Sequence, residues 1–226
     1  MARARPRSRA AAEEDPRGTR ERFVDAAGDL LAAGGYAAAS VQAIAERVGV
    51  STGALYRHFP SKAELFVEVF RDAAKRDLTA LRKVALESSP IARLEAGITT
   101  YARRMLASPR LAWALVHEPV DALVDAERLR YRRTYTRNVA KLLREAVEAG
   151  EIPEQDVDVS AAAITGALSE ALVGPLSPVP AQGPSEDVVI HQIVGFCRRA
   201  VGARDGQQTA RAPRSRKPRA RRRSTP

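Results

Sequence analysis

The chain has 226 residues, 45% of them hydrophobic, a single cysteine and a formal net charge of +10 at pH 7. This hydrophobic fraction supports a folded core, and one cysteine excludes both an intramolecular disulfide framework and a cysteine-rich zinc site. The two longest uncharged segments, residues 30–45 and 171–185, are too short to span a bilayer, so we expect a soluble, cytoplasmic protein with no membrane partner.

The positive charge lies in two tails. Residues 204–226 carry nine Arg or Lys against one acid, and residues 1–17 carry five Arg against three acids, which leaves 23 basic and 23 acidic residues in the body. Both tails are rich in Arg and Pro, and such low-complexity segments are expected to be disordered. The overall basicity therefore does not by itself indicate sequence-specific DNA binding.

The body begins with two segments of helical periodicity. The first keeps apolar residues at i, i+3, i+4, i+7 and i+8, namely Phe23, Ala26, Ala27, Leu30 and Leu31. We expect the pair Gly34-Gly35 to end this helix. Ser40 can cap a second helix over residues 41–48.

The next segment changes direction quickly. Gly49 supplies a turn, and Ser51 can cap a third helix of fewer than ten residues. The sequence "SKAE" at 61–64 has the spacing of a capping box and opens a fourth helix that runs to about residue 81. No segment alternates with a period of two over the length of a strand, so the fold class predicted is all-α.

Longer helices follow after residue 90. The pattern predicts helices at about 91–107, 109–117, 125–149, 157–173 and 185–201, with the uncharged "GPLSPVPAQGP" between the last two. The domains expected are a disordered tail (1–17), a three-helix helix-turn-helix domain (18–66), a helical ligand-binding and dimerisation bundle (67–203) and a second disordered tail (204–226). The helix at 61–81 would connect the two folded domains.

The middle of the first domain has the requirements of a helix-turn-helix. Two helices that cross around a tight turn need a small residue at the crossing, a glycine in the turn and apolar residues that hold the second helix. Ala45, Gly49, Val50 and Leu55 fill these positions. The other side of the third helix would present small or polar side chains, with no acid, to the major groove.

The segment "TRERFVDAAGDLLAAGGYAAASVQAIAERVGVSTGALYRHFPSKAELFVEVF", residues 19–70, resembles the DNA-binding domain of the tetracycline-repressor (TetR) family of bacterial transcription regulators. The order and spacing of residues such as Gly35, Gly49, Leu55 and Phe66 carry the resemblance. It implies a homodimer through the last two helices, about 157–173 and 185–201. It also implies that a small ligand in the bundle changes the spacing of the two recognition helices.

The resemblance also implies the DNA contacts, which are Ser40, Gln42, Ser51, Thr52, Gly53, Tyr56, Arg57, His58 and Lys62. Thr52 and Arg57 are suited to base edges, and Tyr56, His58 and Lys62 to phosphates. Core packing is the alternative for Tyr56 and Phe59; we favour it for Phe59 and DNA contact for Tyr56.

A ligand site is harder to predict. An apolar wall with a few polar tips could be built from Tyr101, Met105, Trp113, His117, Tyr131 and Tyr135. Any one of these can equally be ordinary core, and Trp113 and His117, four apart on one helical face, are the most informative pair. His117 has no second histidine at ligand spacing, so no metal and no cofactor are proposed.

The function expected is that of a DNA-binding repressor, released from a nearly palindromic operator by a small molecule, with half-sites about one helical turn apart. The sequence has no convergent acid, base or nucleophile set, so we do not expect an enzyme. The alternative is an architectural protein that binds DNA nonspecifically through its basic tails. The C-terminal tail can equally be a nonspecific DNA-binding arm or a solvated tail with no partner.

Overall fold

The computed structural model describes residues 18–83, 89–179 and 183–203, and the two predicted tails lie outside them. The described residues form ten α-helices and no strand, which confirms the all-α prediction. In chain order the helices are α1 (Thr19–Ala38), α2 (Val41–Val48), α3 (Thr52–His58), α4 (Lys62–Arg82), α5 (Pro90–Leu106), α6 (Pro109–Val116), α7 (Ala122–Glu148), α8 (Val157–Ala171), α9 (Val173–Leu176) and α10 (Glu186–Ala200).

Two elements differ from the sequence-based expectation. The pair Gly34-Gly35 does not end α1 but kinks it, and one further turn continues to Ala38. Gly35 has φ +67°, in the left-handed region that glycine adopts readily, so the chain bends there before the last turn. The short helix α9 was not predicted, because its sequence "VGPL" contains the two residues that usually mark a loop.

The apolar side chains form two clusters. The first joins α1 to α4, with Phe23, Leu31, Ile44, Leu55 and Phe66 among its fully or nearly fully buried members. The second joins α5, α7, α8 and α10. Helix α6 belongs to both, because Ala114 and Leu115 pack into the first cluster and Ala112 into the second.

None of the described helices combines the length and the hydropathy needed to cross a bilayer. The longest, α7, has 27 residues and carries charged side chains along its whole length. It packs against α4, α5 and α8 with one face, on which Val124, Ala140 and Leu143 are buried, and its opposite face is exposed.

Candidate DNA-binding face and ligand cavity

The turn between α2 and α3 is closed by local hydrogen bonds. Gly49 has φ +81° and its N–H donates to the carbonyl of Ala45 at 3.0 Å, as does the N–H of Val50. The Ser40 hydroxyl accepts from the N–H of Ala43 at 3.1 Å, and the Ser51 hydroxyl from the N–H of Ala54 at 3.3 Å. Because α2 ends at Val48 and Ser51 already caps α3, the two helices follow each other around a tight turn, as a helix-turn-helix requires.

Helix α3 has a buried side and an exposed side. Ala54 and Leu55 are buried, and so is Phe59 directly after the helix, which agrees with the core role favoured for Phe59. The opposite side presents Thr52, Gly53, Tyr56 and Arg57. The Tyr56 side chain is 51% exposed, so core packing does not account for it.

The remaining predicted DNA contacts have other neighbours. Gln42 donates from its amide to Glu46 at 2.9 Å on the same helix. His58 ends α3, is exposed, and its ring lies 5.8 Å from that of Phe23. Lys62 is the first residue of α4 and its ammonium lies 5.1 Å from the centre of the Phe66 ring; burial lowers the pKa of this amine.

Arginines of α1 support this face in a way that the sequence analysis missed. Arg22 donates from Nη2 to the carbonyl of Val48 at 2.9 Å, at the end of α2. The guanidinium of Arg20 lies 4.8 Å from the centre of the Phe59 ring, below α3. Contacts between residues so far apart in sequence leave no periodic pattern. An arginine on a helix is usually assigned to the solvent-exposed side, so these two contacts could not be predicted.

A cavity of about 840 Å³ lies within the helical bundle. Its walls come from α4, α5, α6, α7 and α8. The structure brings four of the six predicted ligand residues to this cavity, which are Tyr101, Met105, Tyr131 and Tyr135. The rings of Tyr101 and Tyr135 meet edge to face with centres 5.7 Å apart.

Trp113 and His117 do not line the cavity. Their rings lie 5.2 Å apart, so they are neighbours as predicted, but Leu111 and Leu115 occupy the face of α6 that lines the cavity. Periodicity identified a shared helical face and could not tell which neighbour that face meets. Burial lowers the pKa of His117, and the nearby charges of Arg128 and Arg132 lower it further.

The sequence analysis also missed a charged pair in the cavity wall. Asp77 of α4 is only 8% exposed and accepts from Arg104 Nε at 2.6 Å. Burial raises the pKa of the Asp77 carboxyl and outweighs the opposing effect of Arg104. No cluster of three His, Cys, Asp or Glu side chains that could hold a metal occurs in the part of the chain that the structure describes.

Helix α6 links the cavity wall to α1. Arg128, which lines the cavity, donates to the carbonyls of Leu115 at 2.6 Å and Ala114 at 2.8 Å, near the end of α6. At the other end of the same helix, Arg110 donates from Nη2 to the carbonyl of Gly34 at 3.1 Å, at the kink of α1. A shift of α6 would therefore change both the contact with Arg128 and the contact with Gly34.

Comparison with known proteins agrees with this architecture. The family model described as "Bacterial regulatory proteins, tetR family" matches residues 23–69, and "Tetracyclin repressor-like, C-terminal domain" matches residues 87–172. The transcriptional repressor KstR of Mycobacterium tuberculosis is 33% identical over 114 residues, which cover 50% of this chain and 52% of that protein. The chain thus spans about half the length of this curated relative.

Two solved structures illustrate the shared fold. A TetR/AcrR-family regulator from Thermobifida fusca aligns with a TM-score of 0.65 at 24% identity, over 82% of this chain and 98% of that one. FadR from Bacillus subtilis, solved in complex with stearoyl-CoA, aligns with a TM-score of 0.67 at 19% identity, over 78% and 96%. Both are described as transcriptional regulators, and the likeness shows that this chain shares their fold.

Proposed function

The chain belongs to the TetR family of bacterial regulatory proteins, and we propose that it is a sequence-specific DNA-binding repressor released from its operator by a small molecule. The observation that carries this proposal is the exposed side of α3. Thr52, Gly53, Tyr56 and Arg57 face outward together, while Leu55 holds the helix on its core. A short helix that has no acidic residue and is anchored to the core by a buried side chain suits insertion into the major groove.

The side chains of this face divide by their chemistry. Thr52 and Arg57 would contact base edges, because a guanidinium can donate two hydrogen bonds to guanine and a threonine methyl can pack against thymine. Gly53 would let the backbone approach DNA closely because it has no side chain. The fold itself does not require glycine here, since a Cβ would meet nothing nearer than the Ser51 hydroxyl at 3.8 Å. Tyr56, with its exposed hydroxyl, would contact phosphate.

The other predicted contacts would bind DNA from positions next to the exposed side of α3. Ser40 and Ser51 use their hydroxyls as caps, so their contribution to phosphate binding would come from the free N–H groups at the starts of α2 and α3. Gln42 would exchange its bond to Glu46 for one to DNA. His58 and Lys62 would contact the phosphates beyond the end of α3.

A homodimer through α8 and α10 is part of the proposal. One side of α8 exposes small and apolar residues at helical spacing, namely Val159, Ala162, Ala163 and Gly166. The neighbouring α10 exposes Val188 and Phe196, the latter 53% exposed. Two such helices from each chain could form a four-helix interface, with small residues allowing close approach, and a twofold dimer would match a palindromic operator.

Control by a small molecule would use the cavity in the bundle. Helices α4 and α6 each line the cavity and also pack into the core that supports α3. A ligand that prefers one arrangement of these helices would change the placement of the recognition helix by its difference in affinity for the two arrangements. FadR from Bacillus subtilis, which shares this fold, was solved in complex with stearoyl-CoA, and this supports a small-molecule ligand for a protein of this fold.

The proposal is tested by fluorescence anisotropy with the full-length protein, DNA from the region upstream of its own gene, and a shuffled sequence, across a salt series. A preference for its own DNA that persists as salt rises is the expected result. Binding that shows no preference and weakens steeply with salt would instead favour the nonspecific alternative, because counterion release from the basic tails is independent of sequence.

A further inference from the structure

We propose that the cavity binds an elongated apolar monoanion whose carboxylate is held by Arg132, Tyr101 and Tyr135. The inference rests on the proposed function only in taking the cavity to be a ligand site. It names the ligand class from the charges, the free hydrogen-bond donors and the apolar surface that the cavity presents.

The first argument is charge. Seven basic side chains line the cavity, namely Arg76, Arg82, Arg93, Arg104, Arg128, Arg132 and Lys141, against the two acids Asp77 and Asp125. Several of the seven are already engaged: Arg104 pairs with Asp77 at 2.6 Å, and Arg93 with Glu145 at 2.8 Å. The Arg132 guanidinium has no hydrogen bond or ion pair with any residue that the structure describes. It is therefore a cationic donor available to a ligand.

Two phenols share the cavity wall with Arg132. Tyr135 follows Arg132 by about one turn of α7, and the ring of Tyr101 lies 5.7 Å from that of Tyr135. The hydroxyls of Tyr101 and Tyr135 form no hydrogen bond within residues 18–83, 89–179 and 183–203, and both side chains line the cavity. Burial raises the pKa of Tyr101 to about 12 and that of Tyr135 above its usual range, so both remain protonated donors at neutral pH. At Tyr101 the Asp77 carboxylate, which is paired with Arg104, raises the pKa along with burial, and the Arg132 charge lowers it. Donors of this kind match the oxygens of a carboxylate.

The rest of the wall is apolar. Leu78, Leu81, Leu94, Ile98, Leu111, Leu142, Ile164 and Leu168 all line the cavity. Its volume of about 840 Å³ lies in the range typical of small-molecule sites. Such a surface gains free energy by covering an alkyl or ring system and gains nothing from a second polar group. A single anionic head on an apolar body therefore fits this cavity.

A cationic ligand is the main competitor. Asp77 lies among the aromatic rings of Phe70, Tyr101 and Tyr135, a setting that can suit an ammonium group. However, the Asp77 carboxylate is already bound to Arg104, and an ammonium ion would have to displace that guanidinium within a cavity of net positive charge. The charges of the wall thus favour an anion over a cation.

The test uses three probes with the same chain and different heads: decanoate, decyltrimethylammonium and decanol. Isothermal titration calorimetry with the full-length protein at neutral pH, without DNA, should show saturable binding of decanoate about tenfold tighter than that of either other probe, since a charged hydrogen bond contributes roughly a factor of ten or more.

Variants locate the head group. Arg132→Gln should weaken decanoate binding about tenfold and leave decanol binding unchanged. Arg133→Gln is the matched control, because Arg133 is the next residue of α7 and is exposed, as Arg132 is, but does not line the cavity. Tyr101→Phe and Tyr135→Phe remove the hydroxyls and keep the rings, and each should weaken decanoate binding several-fold.

Three results would overturn the inference: tighter binding of the ammonium probe, equal binding of decanol and decanoate, or saturable binding of none of the three. Equal losses in the Arg132→Gln and Arg133→Gln variants would also overturn it. None of these outcomes concerns DNA, so the repressor proposal would stand. Conversely, decanoate binding in a protein that ignores its upstream DNA would refute only the repressor proposal.

Discussion

Arg71 of α4 and Glu127 of α7 form a two-point ion pair, with Arg71 Nε 2.9 Å from Glu127 Oε1 and Arg71 Nη2 3.2 Å from Glu127 Oε2. Glu127 is only 7% exposed, and Arg71 also donates to Glu68 at 2.7 Å. These bonds raise the pKa of the Arg71 guanidinium. The pair fixes the helix that connects the two domains to the longest helix of the bundle.

Replacing Arg71 by methionine should lower the free energy of unfolding by about 2 kcal/mol, because the Glu127 carboxylate stays buried and loses its best partner. The loss is moderated because Arg71 is partly exposed and Arg130 lies 3.6 Å from the same carboxylate. Urea unfolding measures this loss in the free energy of unfolding. The control is Arg76→Met, which removes an exposed pair with Asp72 and should change stability by less than about 0.5 kcal/mol. Equal losses in the two variants would contradict this account.

Gly35→Ala should destabilise the protein by about 2 kcal/mol or more. The φ of +67° is unfavourable for alanine, and a Cβ there would lie 2.9 Å from Glu118 Oε2 and collide with the Arg110 guanidinium. The control is Gly28→Ala in the same helix, where a Cβ would meet only Val69 at 3.8 Å. Thermal unfolding should show Gly28→Ala to be neutral or stabilising. A harmless Gly35→Ala would argue against the kink.

Tyr56→Ala should abolish operator binding while the fold is retained, because the side chain is exposed on α3 and contributes little to the core. Anisotropy with upstream DNA and circular dichroism measure the two properties together. Phe59→Ala provides the contrast: its ring is buried, so that variant should lose several kcal/mol of stability. Unchanged operator affinity in a folded Tyr56→Ala protein would remove Tyr56 from the DNA contacts.

Phe196→Glu should convert the proposed dimer into monomers, because it places a charge at the exposed apolar face of α10. Operator affinity should fall with it, since two half-sites would no longer be bound together. Analytical ultracentrifugation measures the mass. Val179→Glu is the control, a charge placed at an exposed apolar residue after α9. A dimeric Phe196→Glu protein would place the interface elsewhere.

The fluorescence of Trp113 should respond to pH through His117, whose ring lies 5.2 Å away. Burial lowers the pKa of His117, so emission should change with a midpoint below the ordinary value of 6.5. Because the folded state binds this proton less readily than the unfolded state, the contribution of His117 to stability is present above pH 6.5 and is lost as pH falls through the lowered pKa. His117→Gln should remove the fluorescence transition. A midpoint at or above 6.5 would refute the assignment.

Local features of the fold could be predicted from the sequence. The caps at Ser40, Ser51 and Ser61 and the turn at Gly49 depend on residues within four positions of each other, and all four occur as expected. The kink at Gly34-Gly35 could not be told from a helix end, because glycine serves both purposes and the deciding contacts come from α6.

Tertiary contacts were the part that the sequence could not supply. Periodicity predicted that Trp113 and His117 share one face of α6. It could not predict that the cavity lies against another face of this helix. Likewise, Asp77 and Arg104 have the sequence pattern of ordinary surface charges. Nothing in the sequence indicates that residues 27 positions apart meet in a cavity wall. The helix-turn-helix could be predicted because its requirements are local.

The single helix α4 has a mechanical consequence. It runs without interruption through 21 residues, from Lys62 beside the recognition helix to the cavity wall at Leu78 and Leu81. At 1.5 Å per residue it is a rod of about 30 Å, so a tilt of about 5° at the cavity would move Lys62 by about 2.5 Å. That displacement is comparable to the length of a hydrogen bond, about 3 Å, and in a dimer it would act on both half-sites with opposite sense. A movement too small to alter the packing of the bundle would suffice to change the spacing of the two recognition helices, which would then no longer match the distance between the half-sites.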